Sequence, residues 1–165
     1  MRLVASLLLL LLTSAASLAA APPVLRLEEL NRAAPHDLAK HHGHVTVLAF
    51  WGQHCPPCLV EMLGLPMLAE ANPTMRIVTV ATGDIRAARR WLSSRLNVQM
   101  AQNVSMTQLP GDISGTLRRL GNHAAALPFT LALAPDGSIC ATLLRPMDAA
   151  ALEQISKACS PEKMG

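Results

Sequence analysis

The chain has 165 residues, 51% of them apolar and 15% charged, with a formal net charge of +3. That length suits one domain with a sizeable core. Its aromatics are Phe50, Trp51, Trp91 and Phe129; with so little charge they exclude a basic stacking surface for nucleic acid.

The chain opens with Arg2, Leu3 to Ser6, the leucines Leu7 to Leu12, and small residues from Thr13 to Ala21. This charged, apolar, small-residue order is that of a secretory signal peptide. Ser17-Leu18-Ala19 offers small residues where a signal peptidase reads; Ala19-Ala20-Ala21 fits less well, because Pro22 would follow the cut. Residues 1–20 are therefore expected to be a signal, leaving 21–165 as one exported, periplasmic domain. If the segment stays uncleaved, it anchors the chain to the inner membrane facing the periplasm. No other stretch is long and apolar enough to cross a bilayer, and there is no internal repeat. Four cysteines in an exported chain are compatible with disulfides.

After Pro22-Pro23, the residues Leu25, Leu27, Leu30, Ala33 and Ala34 recur at helical spacing and predict a helix up to Pro35, with a further turn over Asp37 to Lys40. His41-His42-Gly43-His44 reads as a polar loop; imidazoles bind copper and zinc, but no carboxylate or thiol lies close in sequence. Val45 to Phe50 reads as a buried strand. A helix follows Cys55 and ends near Asn72-Pro73, with Gly64 and Pro66 interrupting it and a kink expected at Pro66. Met75 to Ala81 is a second buried strand. Asp84 caps a helix through about Leu96, with Trp91 and Leu92 inward and Arg86, Arg89, Arg90 and Arg95 on a solvated face. Val98 to Val104 reads as a short strand, Leu109-Pro110-Gly111 as a turn, and Asp112 as the cap of a helix closed by Gly121-Asn122. Leu127 to Leu133 and Ser138 to Leu144, joined at Pro135-Asp136-Gly137, form a hairpin. Asp148 caps a last helix to about Ala158. Parallel strand–helix–strand units followed by a hairpin predict an α/β fold with a central mixed sheet and helices on both faces.

The chemistry concentrates at Cys55-Pro56-Pro57-Cys58. A dithiol between strand end and helix start is the redox arrangement of a thioredoxin-like fold. Cys55 falls at the helix N-terminus, where the dipole favours its thiolate, and is expected to attack; Cys58, one turn in, is expected to resolve the mixed disulfide. The exchange needs no metal and no organic cofactor. A zinc site would want a second Cys or His pair at similar spacing, and none is visible. Pro56 and Pro57 have no N–H to offer the Cys55 thiolate, which favours a reductant over a strong oxidant. Glu61 lies on the same helix face as Cys58. Either burial raises its pKa so that it trades protons with Cys58, or it is a favourable charge near the helix start. A cis Leu127-Pro128 bond would leave the Leu127 backbone free to pair with a peptide; a trans proline opening a strand is the plainer alternative. Cys140 lies about 13 Å before its strand's end and Cys159 about 16 Å along the returning helix. The two sulfurs could therefore meet in a structural disulfide, or remain free.

The residues Phe50-Trp51, Cys55 to Cys58, Glu61, Leu127-Pro128-Phe129-Thr130 and Pro135-Asp136-Gly137 resemble the TlpA/ResA/CcmG group of membrane-associated or periplasmic thioredoxin-like proteins, over roughly Val24 to Ala158. The resemblance implies that Cys55 attacks, Cys58 resolves, Glu61 tunes the thiols, and Pro128 is cis. It also implies that Trp51, His54, Pro56, Pro57, Leu127 and Pro128 contact the substrate. The implied function is reduction of protein disulfides in cytochrome c maturation or related metalloprotein assembly, with electrons from a membrane thiol protein. The chain departs from the pattern at His54, where the family has Trp, at Ala49, where thioredoxin has a buried acid, and at Gly64 and Pro66. Two other functions use the same cysteines: a disulfide oxidase or isomerase, and a copper-binding module that adds His54.

Overall fold

The computed structural model describes residues 25–95 and 101–160. The expected signal (1–20), the end at Leu96 of the predicted helix capped by Asp84, and Val98 to Met100 of a predicted strand lie outside them.

In chain order the elements are β1 (Leu27–Glu29), β2 (Pro35–His36), a 3-10 turn (Leu38–His41), β3 (Thr46–Trp51), α1 (Pro56–Ala71), β4 (Arg76–Ala81), α2 (Ile85–Arg95), β5 (Val104–Gln108), α3 (Ile113–Arg119), β6 (Phe129–Leu133), β7 (Ile139–Leu143) and α4 (Ala149–Ala158). The described residues build one seven-stranded sheet in the order β2-β1-β5-β4-β3-β6-β7. Strands β3, β4 and β5 run parallel; β6, β7, β1 and β2 pair antiparallel with their neighbours. The chain therefore has a mixed sheet of thioredoxin-like topology, with β3 inside it between β4 and β6, buried along its whole length.

The period of a strand divides the core in two. Val47, Ala49 and Trp51 point into one layer with Met62 and Leu65 of α1, Leu92 of α2, and Leu152 and Ile155 of α4. Leu48 and Phe50 point the other way, toward Leu117 of α3, Leu27 of β1 and Phe129. Alternation on β3 thus places helices on both faces. Asp84, Asp112 and Asp148 cap α2, α3 and α4 by accepting backbone N–H groups. Gly137, at φ 87°, turns the β6–β7 hairpin, where Gly137 N–H donates to Ala134 O.

Two expectations are corrected. The helix expected over Leu25 to Ala34 is the β1–β2 hairpin. Only Leu27 and Leu30 of that spacing are buried, whereas Ala33 and Ala34 face solvent and Ala33 takes a left-handed φ of 51°. So short a helix is marginal alone, and the open edge of β5 offers ladder hydrogen bonds instead, pairing Glu28 with Gln108. Of the strand expected over Val98 to Val104, the described residues 101–103 are not strand, and β5 runs over Val104–Gln108. Its polar residues Ser105 and Thr107 hid it, but tertiary pairing accommodates them: the Thr107 hydroxyl donates to Thr79 O at 2.8 Å.

Helix α1 runs unbroken through Gly64 and Pro66. Pro66 forfeits a helical hydrogen bond, at a cost of about 3 kcal/mol, offset by the burial of Leu65 and Ala69 on either side. The helix ends at Asn72, whose side chain donates to Leu68 O at 2.9 Å.

Candidate active site

Strand β3 delivers the reactive pair. Its last residue, Trp51, hands the chain to Gly52, Gln53 and His54, and Cys55 is the N-cap of α1. Pro56 occupies the first helical position, where the missing N–H costs nothing and φ is preset. The loop is held from beside: the Thr82 N–H and hydroxyl both donate to Trp51 O, at 2.8 and 2.9 Å. The site thus sits at the carboxyl ends of two parallel strands, where open α/β sheets form their crevices.

Cys55 and Cys58 form a disulfide. Cys55 is half-buried and borders an open groove of about 490 Å³, lined also by His54, Pro56, Pro57, Gly83 and Leu127. Cys58 is fully buried. The Cys58 N–H donates to Cys55 Sγ at 3.3 Å. Pro56 and Pro57 contribute no donor, so this N–H and the helix dipole are what favours a Cys55 thiolate. One sulfur is reachable and the other is shielded one turn below.

Glu61 lies a turn and a half into α1, beyond the first turn, and is only 6% exposed. It is therefore not a solvated charge on the helix dipole. Its Oε2 has no hydrogen-bond partner among the described residues. Burial pushes its carboxyl up to about 7; the Met147 backbone N–H pulls it down and the Asp148 charge pushes it further up. It shares the buried face of α1 with Cys58, and near neutral pH it can hold or release a proton there.

This ionisation has a stability consequence. The unfolded carboxyl titrates near 4.5 and the folded one near 7. Between those values the folded state binds the extra proton, so stability falls as pH rises through the window and stays reduced above it. The full effect is on the order of 3 kcal/mol. Urea denaturation of the oxidised protein at pH 5 and pH 8 is expected to show Glu61→Gln relieving most of that loss. A wild-type-minus-variant difference that ignores pH would rule it out. In the reduced protein the same substitution is expected to slow turnover and flatten its rise with pH.

Trp51 is a correction. Expected at the substrate face, it is fully buried and packs against Trp91, ring centroids 5.8 Å apart. The alternation that faces Val47 and Ala49 inward also sends Trp51 under the helices, so it supports the cysteine loop from below. His54, Pro56 and Pro57 are exposed on the rim. The Leu127-Pro128 bond is cis; Leu127 lines the groove and Pro128, behind it, does not.

Sequence reasoning missed Gln53, Thr82, Gly83, Ala125 and Asn122. The first four line the groove, and Gln53 Oε1 is buried there with no partner among the described residues. Asn122 is fully buried and clamps the loop before Pro128, donating to Ala126 O at 2.7 Å and accepting from Ala126 N–H at 3.2 Å. The rule that crevices form beyond parallel strand ends could have found Thr82 and Gly83; nothing local marks Asn122.

The histidines lie elsewhere. His41 to His44 precede β3, at the end opposite Cys55. Folding links one of them to a further histidine and its carboxylate: Glu29 meets His36 Nδ1 at 2.6 Å, and His36 Nε2 faces His41 Nε2 at 3.1 Å. His44 is engaged by Thr74 O and Arg76. Among the described residues no group of three or more His, Cys, Asp or Glu converges as a metal site. A larger hollow of about 650 Å³ beside Leu109 and Arg119 contains no thiol. Cys140 and Cys159 are joined in a second disulfide, Cα atoms 5.2 Å apart, between β7 and the C-cap of α4.

Sheet order, the cysteine pair at the head of α1 and the groove beside it define the class: a thioredoxin-fold chain with the site of a thiol–disulfide oxidoreductase. No family model matches the chain. It is 39% identical over 61 residues to the soluble secreted antigen MPT53 of Mycobacterium tuberculosis, a match spanning 36% of this chain and 35% of that protein. It is similar in structure to a secreted Mycobacterium tuberculosis disulfide oxidoreductase homologous to Escherichia coli DsbE, with 26% identity, a TM-score of 0.56, and coverage of 82% of this chain and 93% of that one. A thioredoxin-related protein from Neisseria meningitidis serogroup B superposes with a TM-score of 0.67 at 20% identity, covering 80% and 97%. StoA from Bacillus subtilis does so with a TM-score of 0.60 at 19% identity, covering 83% and 98%.

Proposed function

We propose that the protein is an exported thiol–disulfide oxidoreductase that reduces disulfides in client proteins, those of cytochrome c maturation or related metalloprotein assembly. The observation that carries this reading is the asymmetry of the pair, with Cys55 open to a groove and Cys58 buried above a buried Glu61. In the reduced state the Cys55 thiolate attacks a client disulfide. A Cys55–client bond forms, the client sulfur–sulfur bond breaks, and the released client thiolate takes a proton. Glu61 accepts the Cys58 proton. The Cys58 thiolate then attacks Cys55 Sγ, closing the protein disulfide and releasing the second client thiolate, which is protonated in turn. Two electrons pass to the client, and an exported or membrane-borne dithiol must restore the pair.

Export is supported by the order of residues 1–20 and by the names of two similar proteins, a secreted antigen and a secreted oxidoreductase. The reducing direction is supported by Pro56 and Pro57, which leave one main-chain donor on Cys55. Equilibration with dithiol buffers is expected to place the potential nearer that of thioredoxin, about −270 mV, than that of a strong oxidant, about −120 mV. Reduction of insulin in the presence of a thiol donor is expected to follow. A potential at the oxidising end would reverse the direction while leaving the exchange chemistry.

A further inference from the structure

We propose that the outward face of α1 is a docking strip for the exchange partner, a protein presenting an uncharged apolar surface next to its own disulfide or dithiol. The inference rests on the exchange reading above and adds what the partner's surface must be. Among the described residues five large apolar side chains are exposed: Ile139 and Leu144 lie on and just after β7, and the other three, Val60 (71%), Leu63 (52%) and Met67 (76%), belong to this one helix. With Pro56 they fall at i, i+4, i+7 and i+11, within one narrow arc at about 100° per residue. The opposite arc carries Cys58, Glu61, Met62, Leu65 and Ala69, all buried. A helix with one face packed on the core normally turns a polar face outward; this one is apolar on both.

The occupant follows from continuity and charge. The strip starts at Pro56, which lines the groove beside Cys55, and runs about 16 Å from the reactive sulfur at the helical rise. A macromolecule whose sulfur reaches Cys55 has a direct path along it. Helix α1 carries no basic residue, and its acids are buried Glu61 and, at the far end, Glu70. An anionic membrane surface would call for Lys or Arg on such a helix. A stable second copy would call for about 20–30 residues a side, far more than this strip supplies. A small uncharged patch suits a partner that must leave after each turnover.

The test uses the reduced protein and two synthetic peptides with the same cystine loop. One carries leucine and valine within about five residues of the cystine, the reach of ~16 Å in extended chain; the other carries serine there. Wild type is expected to reduce the apolar peptide about tenfold faster. Val60→Ser/Leu63→Ser/Met67→Ser is expected to treat both alike while keeping the wild-type rate with a small aryl disulfide. A preference that survives in the triple variant, or is missing in wild type, overturns the proposal. So does strip-dependent binding to phosphatidylglycerol vesicles, or a strip-dependent dimer in sedimentation. Failure of wild type to attack even the aryl disulfide would instead bring down the exchange reading underneath.

Discussion

Cys55→Ser is expected to bring disulfide exchange down to the uncatalysed background, a loss of about three orders of magnitude or more, as removal of a nucleophile does. The reason is geometric. Cys58 has no exposed surface, so no second thiol can attack a client in place of Cys55. Cys58→Ser is expected to behave differently. Cys55 still attacks, but nothing buried behind it can release the client, so a mixed disulfide accumulates. Mass spectrometry after reaction with a cystine peptide is the measurement: a stable adduct on Cys55 in Cys58→Ser, none in Cys55→Ser. Adducts on Cys58 in Cys55→Ser would mean that attacker and resolver have been assigned the wrong way round. In cells, the same Cys58 variant would carry its clients with it and identify them.

A stability effect as large as that of Glu61 belongs to the other disulfide. Cys140 and Cys159 are 19 residues apart in sequence, and closing a loop of that size removes about 3 kcal/mol of chain entropy from the unfolded state. For a domain of this size the loss lowers Tm by about 10 °C. Cys140→Ser/Cys159→Ser is therefore expected to unfold at correspondingly lower urea, followed through the fluorescence of the buried Trp51–Trp91 pair. Cys159 closes the far end of α4, whereas Met147 and Asp148, which act on the Glu61 carboxyl, stand at its start. Reactivity of Cys55 toward a small disulfide is accordingly expected to stay at the wild-type level. Unchanged stability in the double variant would show that the bridge contributes nothing beyond the packing of Ile155 and Leu152 on the sheet.

The strip on α1 and the reactive pair give the partner two demands at once, a sulfur to exchange and an apolar flank to lay down. Polar His54 on the rim separates this groove from one walled by an aromatic at the same place. Pro56 belongs to both features: with Pro57 it withholds N–H groups from the thiolate, and it begins the exposed strip.

Much of this was written locally. The strand before Cys55, the helix after it, the caps at Asp84, Asp112 and Asp148, and the Pro135-Asp136-Gly137 turn are short-range signals, because propensity, capping and turn chemistry act within a few residues. The spacing of Cys55 and Cys58 is of the same kind, so the nature of the chemistry was legible before any fold. What needed the fold was whatever depends on which layer a residue enters. Leu25 to Ala34 had helical spacing and became a hairpin because the edge of β5 was available to it. Trp51 went under the helices because β3 alternates faces. Glu61 acquired a carboxyl near 7 only when folding buried it, an effect that the Met147 N–H opposes and the Asp148 charge adds to. Gln53, Thr82 and Asn122 have no local signature, since their positions come from the parallel pairing of β3 with β4 and from the loop ahead of β6. The amino-acid sequence by itself determined that two thiols stand at the head of a helix. Only the packing of strands and helices decided which of them is reachable and what surrounds the other, because burial is a property of contacts between segments far apart in the chain.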